Sequence, residues 1–544
     1  MVTFDELKNA KFDGIRAHAD ACTRTMNQLD EIVRDFELGV CGATEQAGWR
    51  GHTAGTANLE LEETLRRIRV ASLEVRSIAA ELDFAADELT SCQAKLFTEM
   101  YAALSDGLTV AAGNGQFFVT EAAPPTTPRD AQQQAAAQTK VDACAQRLQQ
   151  VLDAASAADA RHAEALARLN PDEVAAGDDA ALKNAMADLD RTFTGMDPQQ
   201  TAAWWMSLSA AERQTYLTNF PRQLGGMDGL PATVRDQANR LALSSRLAEL
   251  GPLVTGGTAT SREKREYENL GQIKAAMATN RDRPAEAQLM LLEFGSKSAD
   301  GEVVIAVGNP DTAKNTVVQV PGANTTLKDS LPQQLSRLTK LQHYSDKLTA
   351  QPGDAAAILW LDYDAPEMSA TGFSSALGPS RAQEGASAFN RFVNGMRAAG
   401  PPGQHLTASG HSYGTDVIAY AAKQQPNGLA VDDIVFMGSP GVHTDNVNGL
   451  RHEPAHVFAG MSGDDAVAPW GTLVHDRLPN DPDFGAAHLP TNAGGHYSYW
   501  NESGPDKPDV SLTAQANVTM GVYQDLDQYR PQAAAPVDLP AGTP

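Results

Sequence analysis

The sequence predicts a chain in two parts: an all-α N-terminal region, then an α/β region with a mostly parallel sheet covered by helices on both faces. Three observations carry this prediction. Apolar residues recur at helical spacing through the early part of the chain. From about residue 200, short β-branched or apolar runs alternate with helical segments. One of those runs leads directly into a serine flanked by glycines.

In the first region, Phe12, Ile15, Leu29, Ile32, Val33 and Phe36 mark a helix with charged outer positions. From Leu61 the series Leu61, Leu65, Ile68, Ala71, Val75, Ile78, Leu82, Ala85, Leu89 advances by three or four residues and lies on one helical face. Between them, glycines in GVCGATEQAGWRGHTAG break helical continuity, so two helices joined by a turn are expected to bury their stripes together. The turn holds Trp49-Arg50-Gly51, and with it the segment resembles the WXG-type helical hairpins handled by type VII secretion. The resemblance implies a helical protein partner at the hairpin and export by that route. The tail signal departs from the pattern, because Tyr101 is followed by Asp106, one residue too far.

Residues 121–140 are rich in Pro, Ala and Gln and read as a linker into an alanine-rich helical spacer. The boundaries expected are a helical hairpin over 1–120, linker and spacer over 121–195, a catalytic α/β domain over 196–530, and a disordered tail over 531–544.

The strands of the α/β region are expected at LMLLEF (289–294), EVVIAVG (302–308), TVVQVPG (316–322), AAAILWLDYDAP (355–366), HLTASG (405–410), DIVFMGSP (433–440) and AHVFAG (455–460). Continuous apolar strands between helices mean a parallel sheet buried on both faces. The first two or three lie too close together for crossovers, so that edge should be an antiparallel meander.

Gly410-His411-Ser412-Tyr413-Gly414 follows the strand HLTAS and precedes TDVIAYAAK, whose Val417, Ile418 and Ala421 face inward. A G-x-S-x-G on a strand-to-helix turn is the nucleophile elbow of the α/β-hydrolase fold. A serine hydroxyl needs a base, and the base needs an orienting carboxylate, in the chain order Ser, Asp or Glu, His. The acid should leave the strand two after the nucleophile strand, at MSGDDAVAP. Asp465 fits that register better than Asp464. His475, His488 and His496 compete for the base. His475 follows Asp465 by ten residues, too few for an intervening helix and strand, and His488 lies in an expected strand. His496, in TNAGGHYSYW beside paired glycines, is preferred; His443, His452 and His456 read as surface or packing residues. The oxyanion hole needs two backbone N–H groups, one from Tyr413 and one from Gly322 or Ala323 in VPGANTT.

The segment Trp204–Leu243 and then VPGANTT, WLDYDAP, GHSYGT, FMGSPGV, DPDFGA and GGHYSYW resemble, in order, the landmarks of an actinobacterial α/β-hydrolase domain family of unknown function, over roughly 200–520. The resemblance implies the triad Ser412, Asp465, His496 and names no substrate. It departs at Asp362, where a glycine is usual, and at SGDDAV, where Asp-Pro is more common.

The bulk composition narrows the function classes. A formal charge of −25 over 544 residues opposes binding to nucleic-acid phosphates. The longest apolar runs fall short of the ~18 residues that a membrane helix needs, so no integral membrane segment is expected. The N-terminus has no apolar h-region and so no Sec signal peptide is expected, which leaves the cytoplasm or a type VII-like route. Cys22, Cys41, Cys92 and Cys144 have neither metal-ligand nor disulfide-framework spacing, and no metal or cofactor is expected. The function expected is a serine hydrolase cleaving a small-molecule or lipid carboxylic ester. A peptidase or amidase with the same triad, and a secretion-associated interaction protein with a secondary hydrolase domain, are the alternatives.

Overall fold

A computed structural model describes residues 2–36, 52–113, 116–123, 129–168, 195–209, 212–213, 216–217, 220–367, 379–465, 477–504, 506–524 and 526. Trp49-Arg50-Gly51, Cys41, His475 and the tail from 531 lie outside the described residues, and so does the sequence reading placed on each of them.

The N-terminal region is built from α1 (Phe4–Asn9), α2 (Asp13–Asp35), α3 (His52–Ser105) and α4 (Ala131–Arg168). α1 starts at a capping box in which Thr3 and Glu6 satisfy each other's backbone N–H groups. Both α2 and α4 pack along α3. Phe4, Leu7, Cys92, Leu96 and Leu148 form a core separate from that of the sheet. Between α3 and α4 the chain makes an antiparallel hairpin, β1 (Leu108–Gly113) and β2 (Gln116–Glu121), where the sequence reading expected only the end of a helix and a linker. The signal present but not used was Asn114-Gly115 between β-forming runs, a common two-residue hairpin sequence.

After α5 (Pro198–Ser207), α6 (Pro221–Gly225), α7 (Ala232–Thr255) and α8 (Ser261–Met277) comes an eight-stranded sheet. Its strands are β3 (Leu289–Gly295), β4 (Glu302–Val307), β5 (Asn315–Val320), β6 (Ala355–Leu361), β7 (His405–His411), β8 (Asp433–Met437), β9 (Val457–Gly460) and β10 (Ala487–His488). The spatial order is β10-β9-β8-β7-β5-β6-β4-β3. This is an α/β-hydrolase fold, with β4 alone running against its neighbours. The expected antiparallel edge is therefore two strands. β5 leaves it, crossing to lie between β6 and β7, because α9 (Leu327–Asp346) gives it a crossover back to β6.

α9 and α12 (Val510–Thr519) pack together beside the sheet, while α10 (Ser380–Ala399) packs against α11 (Gly414–Gln424). Every residue of β4, β6 and β8 is buried, as helices on both faces require. Among the described residues no helix is long and apolar enough to cross a membrane.

At the β3 edge a buried charge ties the layers together. Arg235 of α7 donates to the carbonyls of Gly225 and Leu292 at 3.1 and 2.9 Å, and to Asp228 and Glu293 at 3.0 and 3.2 Å. Hydrogen bonds from all three nitrogens are what make an interior guanidinium tolerable. Burial, aided by the Asp362 carboxylate, pushes Glu293 up to about 8. The Asp362 side chain itself pairs with Lys297 at 2.7 Å, and the next residue, Tyr363, is the one that reaches the turn after β5.

Candidate active site

β5, β7 and β8 end in register, with Val320 opposite Gly410 and His411 opposite Met437. The chain must turn at once from β7 into α11, and Ser412 takes up the turn at φ +53°. A left-handed conformation at a non-glycine residue costs on the order of 1–3 kcal/mol and persists only where its surroundings impose it. Here they do. The Ser412 N–H donates to Met437 C=O at 3.0 Å, and Ser412 C=O accepts from the Thr415 N–H at 3.0 Å and its hydroxyl at 2.7 Å. Gly414 lies so close to β5 that a Cβ there would come within 2.2 Å of the Val320 oxygen. The glycine after the serine is thus a steric requirement of elbow and sheet together.

Gly322 faces the serine from the β5 exit, where an added Cβ would lie 2.7 Å from Ser412 Cβ and 3.2 Å from its Oγ. Ala323 follows, half-buried, and Asn324 turns at φ +58°. Tyr413 opens α11 with helical dihedrals, so its N–H belongs to the positive end of that helix.

Asp465 follows the β9 exit and His496 sits in the loop after β10. The His496 Nδ1 lies 2.9 and 2.8 Å from the two Asp465 oxygens. The Asp465 side chain is fully buried and that of His496 is 7% exposed. Asp464 is exposed, and His488 lies within β10 with its Nε2 buried and without a hydrogen-bond partner among the described residues. His456 and His405 flank Asp433 at the N-terminal ends of β7 and β8, the far end of the sheet from Ser412. His443 lies 3.5 Å from Asp416, and His452 meets the Asp432 carbonyl.

Two residues near the pair were not singled out from sequence. Tyr499 donates its hydroxyl to Asp465 Oδ2 at 2.6 Å and accepts from the Ser462 N–H at 3.2 Å. Burial, then the adjacent carboxylate, holds this phenol well above its ordinary value, so it remains a donor. His411 donates from Nε2 to the His496 carbonyl at 2.8 Å, and the two rings stand 4.6 Å apart. Burial, with the His496 charge adding to it, pushes His411 down to about 3, which keeps it neutral. His411 therefore carries the His496 loop onto the β7–α11 turn. The Ser462 hydroxyl bonds the Gly494 carbonyl and ties the turn that bears Asp465 to the same loop. No hydrogen bond joins Ser412 Oγ to His496 among the described residues; such catalytic contacts often tighten only around substrate.

The arrangement combines a half-buried serine on a constrained turn, a histidine oriented by a buried carboxylate, and backbone N–H groups beside the serine. That combination suits attack on an acyl carbon.

Residues 297–474 match a family model described as alpha/beta hydrolase. The chain is 28% identical over 303 residues to an uncharacterised protein of Mycobacterium tuberculosis (strain H37Rv), covering 51% of this chain and 45% of that protein. It therefore spans less than half of that relative's length. It is 30% identical over 228 residues to an uncharacterised protein of Mycobacterium bovis, covering 41% of this chain and 80% of that protein. Among solved structures, a hyperthermophilic esterase from Pyrobaculum calidifontis aligns at 12% identity and a TM-score of 0.30, over 51% of this chain and 96% of that one. The esterase LipW from Mycobacterium marinum aligns at 12% identity and a TM-score of 0.28, over 49% and 91%.

Proposed function

Since the chain belongs to the α/β-hydrolase family, we propose that it is a serine hydrolase that cleaves a carboxylic ester through an acyl-enzyme on Ser412. The observation that carries this reading is the left-handed Ser412 at the β7–α11 turn, served by a His496 whose Nδ1 is 2.8 Å from buried Asp465.

Ser412 Oγ attacks the ester carbonyl carbon while its proton passes to His496 Nε2. Asp465 accepts from Nδ1–H, fixing the tautomer and stabilising the imidazolium. The oxyanion of the tetrahedral intermediate is received by the N–H groups of Tyr413 and of Gly322 or Ala323. Collapse expels the alcohol, which takes the proton from His496. Water then attacks the acyl-enzyme with His496 as base, releasing the acid and restoring the serine.

A fluorophosphonate probe on the full chain tests the nucleophile, and a chain-length series of p-nitrophenyl esters tests the bond type. Labelling confined to Ser412 with ester turnover is expected. Turnover of anilides in preference to esters would favour the amidase alternative. A silent Ser412 would favour a binding protein whose N-terminal helices carry the function.

A further inference from the structure

The turn after β5 is held by two side-chain hydroxyls that belong to neither the triad nor the elbow. Tyr363, two residues past β6, donates to the Pro321 carbonyl at 2.6 Å. Thr325 donates to the Gly322 carbonyl at 2.8 Å. Both side chains are buried. The Tyr363 ring stacks on Trp360 with centroids 6.2 Å apart and planes 6° from parallel, and Gly385 of α10 presses on it so closely that a Cβ there would reach Tyr363 Cβ at 2.9 Å. The phenol therefore has a single place to put its hydroxyl. A second tie comes from the same strand exit: the Asn324 N–H donates to Pro366 C=O at 3.0 Å.

A peptide unit is planar, with its C=O and the following N–H pointing in opposite directions. Fixing the Pro321 carbonyl thus fixes the direction of the Gly322 N–H, and fixing the Gly322 carbonyl fixes that of the Ala323 N–H. These are the two peptides beside Ser412. We propose that Tyr363 and Thr325 are positioning residues that aim the β5-side donors of the oxyanion hole, each through one peptide plane. The inference rests on Ser412 being the nucleophile. The elbow adds a steric limit: Pro321 C=O also abuts Gly414, so a rotated peptide would collide with it.

The test uses the full chain and three variants: Tyr363→Phe, Thr325→Val and Thr325→Ser. Wild-type labelling at Ser412 and turnover of p-nitrophenyl acetate come first; their absence would defeat the serine-hydrolase reading itself. Given an active wild type, Tyr363→Phe and Thr325→Val should each lower kcat about 10- to 100-fold, less than deleting an oxyanion donor outright, with KM within about twofold. Affinity for an alkyl boronic acid, which mimics the tetrahedral intermediate, should weaken in proportion to kcat/KM, while a ground-state ketone should bind as before. Thr325→Ser keeps the hydroxyl and should recover most of what Thr325→Val loses. If Tyr363→Phe proves too unstable to assay, the Thr325 pair gives the same readout. Wild-type kcat in Tyr363→Phe and Thr325→Val, or a loss shared equally by boronate and ketone binding, would overturn the proposal.

Discussion

At the scale of single residues, the proposed chemistry depends on a few atoms whose removal leaves the sheet intact. Ser412→Ala should fold normally and lose on the order of 10⁴-fold or more in esterase turnover, as should His496→Ala. Combining them should add little, because nucleophile and base act as one unit. Steady-state kinetics on p-nitrophenyl acetate checks both, and additive losses would argue against a shared step. Asp465→Asn should cost about 10³- to 10⁴-fold, since an amide no longer fixes the imidazole tautomer, whereas Asp464→Asn should change turnover by less than about twofold. Tyr499→Phe removes one donor from Asp465 and the acceptor of the Ser462 N–H, and should lower kcat about tenfold, with a loss of stability of about 1–3 kcal/mol for the buried N–H left without that acceptor. Ser412 and His496 were legible in the sequence because glycine spacing marks the turns that carry them. Tyr499 and Tyr363 were not. Their partners lie 34 and 42 residues away, and no local pattern announces a hydroxyl that acts across the fold.

Among elements, the long helices were legible and the sheet order was not. Helical periodicity is a local property, written every three or four residues. Where β5 sits is decided by a crossover, so of the two or three strands expected in the meander only β3 and β4 follow one another at that edge. The hairpin of β1 and β2 was missed because its partly exposed strands lack a strong apolar pattern. Across the α3–α4 contact, His162 bridges Glu81 at 2.7 Å and Glu88 at 2.8 Å. The Glu81 hydrogen bond first, then that to Glu88, raises His162 to about 9. The folded state therefore holds this proton above pH 6.5, where an unfolded histidine releases it. The stability it contributes is fully present below about pH 6.5 and is lost as pH rises through about 9. Thermal unfolding followed by circular dichroism should show the helical part weakening over that window. In His162→Gln the slope over the same window should be smaller, with what remains belonging to groups such as Glu293; an unchanged slope in that variant would assign the whole effect to other groups.

For the molecule as a whole, the apolar core of the helical region is separate from that around the sheet, and among the described residues a third, smaller cluster gathers around Trp205 and Leu224. The described electrostatic tie between the first two is weak: Arg240 of α7 lies 3.8 Å from Asp87 of α3, on partly exposed side chains. Such a pair contributes about 0–1 kcal/mol. We therefore expect residues 196–530 alone to fold cooperatively and to turn over p-nitrophenyl acetate at a rate within about threefold of the full chain. Size-exclusion chromatography and kinetics on that fragment provide the check. Aggregation or a dead fragment would mean that the helices complete the sheet's core or its cleft.

The proposed acid, Asp465, and the proposed base, His496, are furnished by different stretches of polypeptide, and residues 466–495 lie between them in the chain. The piece bearing His496 docks through β10 on β9, through Tyr499 on Asp465, and through His411 on its own carbonyl. On the proposed assignment, the fragment that ends between the two would keep Ser412 and the turn after β5 but lack the base that is to deprotonate the hydroxyl. Supplied as separate halves, each fused to one of two interacting proteins, the molecule should regain the proposed ester cleavage only on reassociation. The position of that seam makes this fold a natural complementation reporter.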